Sequence, residues 1–218
     1  MSDHALFHVE ADATAVPVEQ ASYAALSYAG LLAGYTTVDS ALKQPLFQRY
    51  LTHLLEHEFA LSAAETTTLC QQLDIAGQQL AELSANGSTR WLPAIVKRLD
   101  QQLEQGQSIE SLCFTLAAWL RFSMGFDGKG DPLTVTDPLA EVFMQVRLTY
   151  WDHIDELVAQ YLQGTPLFSS LAAQPLFVAR LSYWLSYILA NGLVTAMQTL
   201  LLEVQDYSAA PRLAGGKV

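Results

Sequence analysis

The densest group of potential metal ligands in the sequence is the run His53-Leu54-Leu55-Glu56-His57. On a helix the two histidines lie one turn apart on one face, with the spacing to share a zinc ion, and Glu56 would then act as general base. The leucines between them belong to a core-facing stripe, which turns the histidines toward the side or toward solvent. A third ligand is not evident, because Glu58 is expected to face elsewhere. We therefore expect a solvated polar face and no metal, with a zinc-dependent hydrolase as the competing interpretation.

Two thiols are the other candidates for chemistry. Cys70 and Cys113 each lie in a helix-like apolar pattern. Free cysteine behaves as a small buried hydrophobe, so we expect both to be structural. A disulfide or a reactive thiol is the alternative.

The charge of the chain restricts its partners. Its 218 residues carry 22 acidic and 11 basic side chains, for a formal net charge of −11. Such a surface repels phosphate groups, which argues against nucleic acids and anionic membranes as partners. Residues 1–4 show no secretory signal, so a cytoplasmic location is expected. The uncharged stretch 181–197 is interpreted as a central buried helix, since it is short for a membrane span.

Apolar residues recur at helical spacing along most of the chain. Residues 19–33 form a helix with small side chains on several faces, and Gly34 suits its C-cap. The pattern predicts further helices over 46–59, 62–83 with a weak point at Gly77, 88–99, 108–122, 138–162 and two within 167–206. Ser88 is the candidate N-cap of the helix that runs through Trp91, Leu92 and Ile95. The helix over 108–122 is apolar nearly all round, so we expect it to be central. No stretch alternates long enough for a convincing strand. We predict one all-α domain over residues 19–206, with a weakly ordered lead-in at 1–18 and a flexible tail at 207–218.

Several stretches share their order and spacing with one enzyme domain. They are residues 20–35, 34–39, 85–93, 114–122 and 125–138, and the most specific is Leu-Ala-Ala-Trp-Leu-Arg-Phe at 116–122, followed by a glycine-rich loop and Asp137-Pro138. Together they resemble the C-terminal domain of the mannitol dehydrogenase family, which comprises long-chain polyol dehydrogenases and hexuronate reductases. The resemblance implies a helical fold like the C-terminal domain of 6-phosphogluconate dehydrogenase.

The residues that carry catalysis in the family are replaced at the matching positions of this sequence. Its Lys-x4-Asn-x2-His signature falls on Ala15, Gln20 and Tyr23. The family's substrate-binding Lys after the Asn-Gly-Ser turn falls on Arg90, which keeps a cation, and an Arg eight residues earlier in several members falls on Glu82. The resemblance therefore leaves Gln20, Tyr23 and Arg90 as tentative substrate-binding residues, and none as a catalytic base.

Family members also carry a nucleotide-binding Rossmann domain upstream, whereas this sequence has no Gly-x-Gly-x-x-Gly motif after a strand. We expect no cofactor to bind this chain alone, and NAD(P) to bind only with a partner Rossmann domain. The first hypothesis is a stand-alone helical substrate or dimerisation domain that is not catalytic by itself. The alternative is one half of a polyol or sugar-acid oxidoreductase that pairs with a separate NAD-binding chain. Both predict an exposed apolar patch for a partner or for self-association, on the small-residue face of helix 19–33.

Overall fold

A computed structural model of the chain describes residues 18–75, 77–150 and 152–209. Within these residues the secondary structure is helical, and β structure is limited to two isolated bridges. The α-helices are α1 (Val18–Leu32), α2 (Val38–Leu42), α3 (Pro45–His53), α4 (Ala63–Ile75), α5 (Leu80–Ser84), α6 (Gly87–Arg90), α7 (Leu92–Glu104), α8 (Glu110–Ser123), α9 (Ala140–Tyr150), α10 (Ile154–Gln163), α11 (Pro175–Asn191) and α12 (Leu193–Ala209). A π-helical turn spans Leu54–Glu58 and a 3-10 turn spans Pro166–Phe168. The all-α prediction is confirmed.

Helix α8 is the centre of the domain. Its residues are apolar on nearly every side, and twelve of its fourteen side chains are buried. A helix of this kind must be surrounded, and α8 packs against α11 on one flank and α1 on another. Two of its buried aromatic side chains pack edge-on against other helices: Phe114 against Trp184 of α11, and Trp119 against Phe143 of α9. The prediction that this segment is central is confirmed.

Local signals explain where several helices begin and end. Thr37 accepts a hydrogen bond from the Ser40 amide and forms a capping box at the start of α2. Pro45 and Pro93 stand in first turns, where a missing N–H costs nothing. Gly34 has φ of 84°, the left-handed conformation predicted for the C-cap of α1.

Three predicted segments are each divided in the structure. Residues 62–83 break after α4, and Gly77 adopts φ of 57° before α5 begins. Residues 138–162 divide into α9 and α10, because His153 leaves the helical region with φ of −124° and ψ of 79° and α10 then packs against α9. The uncharged stretch 181–197 divides at Gly192, whose φ of 79° ends α11. None of the helices among the described residues is long and apolar enough to cross a membrane.

The predicted apolar patch on α1 is wrong. Ala21, Ala24, Ala25 and Ala29 are all buried within the domain, because their small side chains allow α5 and α8 to approach α1 closely. The exposed large apolar side chains of the described residues lie elsewhere, mainly on α9, α11 and α12: Phe126, Val142, Met144, Leu148, Leu176, Leu189, Val194 and Leu202. The small residues of α1 therefore contribute to the core.

Candidate functional site

A cluster of three side chains brings together two of the predicted site residues. The ring of Tyr23 lies 5.5 Å from the ring of Trp91, and the Arg90 guanidinium lies over that same ring, 4.2 Å from its centroid. Tyr23 and Trp91 are nearly buried, whereas Arg90 is exposed. The structure thus places a hydroxyl, an aromatic ring and a cation together at the edge of the core.

The backbone fixes this cluster from two directions. Tyr23 comes from the middle of α1, and Arg90 ends the short helix α6, which follows Asn86 in a left-handed conformation with φ of 54°. The indole N–H of Trp91 donates to the carbonyl of Leu83 at 2.6 Å and so fixes the ring orientation. The indole ring under the Arg90 guanidinium is therefore held in one orientation by a backbone hydrogen bond.

The turn before α6 is packed tightly against α1. A Cβ atom on Gly87 would lie 1.7 Å from the hydroxyl oxygen of Tyr28, so only glycine leaves room for that side chain. The amide of Ser88 donates to a carboxylate oxygen of Asp137 at 2.8 Å, which links the turn to the loop before α9. The hydroxyl of Ser88 has no partner among the described residues, so the prediction that it caps the next helix is wrong.

Tyr23 is a hydrogen-bonding group and a poor base. Burial raises its pKa above the usual value near 10, and the carboxylate of Glu19 raises it further, against a hydrogen bond from Gln78. The phenol therefore stays protonated at neutral pH. Its hydroxyl hydrogen-bonds the Glu19 carboxylate and has no capacity to take a proton from an alcohol.

Arg90 remains available to a ligand. One of its terminal nitrogens donates a long hydrogen bond, 3.4 Å, to the backbone carbonyl of Glu82. Among the described residues no carboxylate forms an ion pair with its guanidinium. A cation stacked on an indole and free of a counter-ion is a suitable donor to substrate oxygens.

Gln20, the third tentative substrate-binding residue, lies in the first turn of α1. Gln20 is half-buried and precedes Tyr23 by three residues, which places the two on neighbouring positions of one helix face. Ala15 lies outside the described residues. The structure thus brings Tyr23 and Arg90 to one ring and places Gln20 one helical turn from Tyr23.

The candidate zinc residues adopt a different arrangement from the predicted one. Among the described residues no three histidine, cysteine or carboxylate side chains gather as metal ligands would. The rings of His53 and His57 stack 4.5 Å apart, and His53 Nδ1 forms a 2.8 Å hydrogen bond with the Ser111 hydroxyl. His57 is exposed as predicted, but His53 is half-buried and Glu56 lies in the π-helical turn. Glu58, expected to face elsewhere, is fully buried against α8.

The two cysteines are free thiols. Cys113 is fully buried in α8, as predicted, and burial raises its pKa well above the usual value. Cys70 is only half-buried on α4, and burial followed by the Glu56 carboxylate raises the pKa of its thiol as well. Both thiols are therefore protonated at neutral pH and poor nucleophiles.

Trp91 is the site residue that the sequence did not indicate. Its spacing with Leu92 and Ile95 assigned it to the core stripe of α7, and only the contacts reveal its role as a platform for Arg90. An Arg-Trp pair after an Asn-Gly-Ser turn is the one signal that sequence alone offered.

Comparisons with known proteins agree on one family. Residues 20–189 match the family model of the mannitol dehydrogenase C-terminal domain. The chain is 24% identical over 132 residues to a mannitol 2-dehydrogenase of Phaeosphaeria nodorum, covering 56% of this chain and 23% of that protein. It is 24% identical over 140 residues to the D-mannonate oxidoreductase of Escherichia coli, covering 59% of this chain and 29% of that protein.

One solved structure shows the same fold. The Pseudomonas fluorescens mannitol 2-dehydrogenase, determined as a ternary complex with NAD and D-mannitol, superposes with a TM-score of 0.77 at 23% identity. The match covers 87% of this chain and 40% of that one. The chain thus spans about a quarter of the length of the curated relatives it matches and less than half of the solved enzyme.

Proposed function

This chain belongs to the mannitol dehydrogenase family as a C-terminal helical domain, and from that premise we propose that it binds a small ligand or a partner protein without catalysing oxidation by itself. The relatives are dehydrogenases and oxidoreductases of polyols and sugar acids. The single observation that carries the proposal is the Tyr23–Trp91–Arg90 cluster, which has hydrogen-bond donors and a cation but no base.

Hydride transfer from an alcohol needs groups that this site lacks. A base must accept the hydroxyl proton while a nicotinamide accepts the hydride. Tyr23 holds its proton too firmly to be that base, and Gln20 is an amide that does not titrate. The described residues offer no strand and hence no Rossmann sheet for a dinucleotide. These features support binding rather than turnover.

The second candidate function is one half of an oxidoreductase that acts with an NAD-binding Rossmann domain on a separate chain. The observation in its favour is that Tyr23 and Arg90 still meet at one ring, with Gln20 one turn away. In that assembly the partner supplies the nicotinamide, and a base in place of the family's lysine comes from the partner or from water. NAD(P) is then a cofactor of the pair, and the ligand is a polyol or a sugar acid.

We also propose the cytoplasm as the location. Two free thiols in one domain fit a reducing compartment. The net charge of −11 supports a setting without nucleic acid as a partner.

The test is thermal unfolding of the chain in the presence of NADH, NADPH, mannitol, fructose, mannonate and fructuronate. A ligand that binds only the folded chain raises the Tm. We expect a sugar acid or a polyol to raise the Tm and the nucleotides to leave it unchanged. The rise is expected to disappear in Arg90→Ala and to persist in Arg49→Ala, which removes an exposed arginine of α3 far from Trp91 in sequence.

Three outcomes of the thermal-unfolding test bear on the proposal. A Tm rise with NADH alone contradicts the proposal that the chain lacks a nucleotide site. A sugar-dependent rise that survives in Arg90→Ala contradicts the assignment of the site. If no small molecule changes the Tm, partner binding is the remaining form of the proposal, and co-purification with a Rossmann-type chain then decides between the two candidate functions.

A further inference from the structure

A cavity of about 400 Å³ lies between α3 and α4. Its volume falls within the range of pockets that hold small molecules, which begins at roughly 300 Å³. The lining residues come from the end of α2, from α3 and the π-helical turn that follows it, and from α4. None of them belongs to the Tyr23–Trp91–Arg90 cluster, so a ligand here occupies a second site.

Two rows of polar side chains form the walls of the cavity. Gln48, Thr52 and Glu56 follow one another at intervals of four residues along α3 and into the π-helical turn. Thr66 and Cys70, also four residues apart, line the cavity from α4. Residues at this spacing lie on one face of a helix, so each helix presents a continuous row to the cavity.

The hydroxyl of Thr66 is buried and has no hydrogen-bond partner among the described residues. Thr66 is only 3% exposed. The next two residues, Thr67 and Thr68, donate from their hydroxyls to the carbonyls of Ala63 and Ala64 at 2.8 and 2.9 Å. Thr66 makes no such bond to its own helix. A buried hydroxyl without a partner costs free energy, so its position in the cavity wall favours a ligand atom as the partner.

The charged groups of the wall indicate which ligand fits. Glu56 is half-buried, and no ion pair among the described residues includes it. The other charged residue of the lining is Lys43, whose ammonium is bonded to the Asp39 carboxylate at 2.9 Å. The net charge of −11 adds a field that attracts cations to this surface. A carboxylate without a counter-ion therefore favours a positively charged ligand.

A metal ion fits this wall less well than an organic cation does. Among the residues that the structure describes, no three histidine, cysteine or carboxylate side chains gather as metal ligands would. The wall instead combines one carboxylate with hydroxyls, amides and the buried apolar side chain of Leu42. Such a surface matches a molecule that has a charged end, a short carbon chain and a second polar group.

We propose that this cavity binds a small organic amine, whose ammonium group pairs with Glu56 and whose second polar group hydrogen-bonds the Thr66 hydroxyl. Gln48, Thr52 and Gln71 line the space around these two residues and offer further hydrogen bonds. The carbon chain of the amine contacts Leu42.

The direct test is an NMR titration of the unmodified chain with aminobutanol, a straight-chain amine with a hydroxyl at its other end. Butanediol and hydroxybutyrate are the matched ligands, because they carry a neutral or an anionic group in place of the ammonium. We expect aminobutanol alone to shift the backbone amide resonances of Thr66 and Cys70, and to do so with saturation. Equal shifts with all three ligands, or no shift of these resonances with aminobutanol, overturn the proposal.

The charge requirement is tested by Glu56→Gln, which keeps the shape of the side chain. We expect the variant to raise the Kd for aminobutanol roughly tenfold or more, the effect of losing a hydrogen bond to a charged group. The matched control is Glu65→Gln, which removes an exposed carboxylate of α4 that does not line the cavity and is expected to leave the Kd unchanged. An unchanged Kd in Glu56→Gln, or an equal rise in Glu65→Gln, shows that the proposal is wrong.

Thr66→Val tests the buried hydroxyl by replacing it with a methyl group of similar size. Because the hydroxyl lacks a partner in the described part of the chain, its removal is expected to raise the Tm of the chain without ligand and to weaken aminobutanol binding. Thr68→Val is the control, since its hydroxyl is bonded to Ala64, and it is expected to leave binding unchanged without raising the Tm. A lower Tm in Thr66→Val, or binding that this variant does not weaken, overturns the proposal.

Discussion

At the scale of single residues, the contact between Gly87 and Tyr28 sets the position of the turn that carries Arg90. A methyl group at residue 87 would overlap the tyrosine hydroxyl, at 1.7 Å, and its ring carbon Cζ, at 2.8 Å. Both residues are buried, so neither side has room to relax into solvent. The site is thus held by a glycine that makes no contact with any ligand.

We predict that Gly87→Ala lowers the free energy of unfolding by roughly 1–3 kcal/mol, the usual cost of overpacking a core. Tyr28→Phe in the same chain should recover part of that loss, because it removes the atom in closest conflict. Chemical denaturation of the two single variants and the double variant measures the coupling.

The control is Gly128→Ala, where a Cβ would meet only the Leu32 carbonyl at 3.4 Å. Its expected cost is smaller than that of Gly87→Ala. Equal costs for the two glycines, or no coupling between Gly87 and Tyr28, would contradict the packing described for this turn.

Some residues of the site were predictable from sequence and others were not. Arg90 and Tyr23 followed from the resemblance to a family motif, and in the structure both lie against the ring of Trp91, a contact that the motif did not predict. Trp91 was not predictable as part of a site, because its spacing fits the core stripe of α7 equally well. Glu58 was assigned the wrong surroundings, since α-helical geometry was assumed where the backbone forms a π-helical turn.

At the scale of helices, Arg180 on α11 joins three elements around the core. Two of its nitrogens bond Glu110 of α8, at 2.9 and 2.6 Å, and one also contacts Glu203 of α12 at 3.2 Å. The Arg180 guanidinium also lies over the ring of Tyr183 on its own helix, 4.4 Å from the ring centroid. About a quarter of the Arg180 and Glu110 side chains is exposed, so solvent screens the pair only in part.

We predict that Arg180→Met lowers the free energy of unfolding by about 2 kcal/mol, because it leaves two carboxylates close together without their counter-ion. Adding Glu203→Gln should reduce the loss by removing one of these charges. Denaturant unfolding at low salt measures both variants.

Lys43→Met is the comparison, since it breaks an exposed ion pair with Asp39 on α2. Such surface pairs contribute roughly 0.5 kcal/mol or less. A cost for Arg180→Met no greater than that of Lys43→Met would show that the network does not hold the three helices together.

Helix type was more predictable than helix ends. The apolar periodicity gave the all-α fold and the central place of α8, because a helix with no polar face must be surrounded. The break at Gly77 was predicted as a weak point, because glycine interrupts a helical pattern. The breaks at Gly192 and near His153 were not placed, because they depend on how one helix packs on the next. The small residues of α1 were ambiguous for the same reason, since close helix packing and an exposed patch use similar side chains.

At the scale of the whole molecule, the chain keeps the helical scaffold of its family. The fold matches that of a mannitol 2-dehydrogenase at a TM-score of 0.77, and we propose that Gln20 and Tyr23 stand where the family has its Asn and His. A domain of this kind has the core to fold by itself, and its ligand cluster sits at the edge of that core. We therefore propose ligand or partner binding, and not turnover, as the function of this chain.

The most direct measurement is the absorbance at 340 nm of NADH mixed with the 218-residue chain and with fructose, fructuronate or tagaturonate. We predict no oxidation of NADH above the rate without protein, because Tyr23, Trp91 and Arg90 include no base and the described residues form no nucleotide-binding sheet. Oxidation that rises in proportion to the chain concentration and falls in Arg90→Ala would contradict the account, and would show a complete oxidoreductase site in this chain.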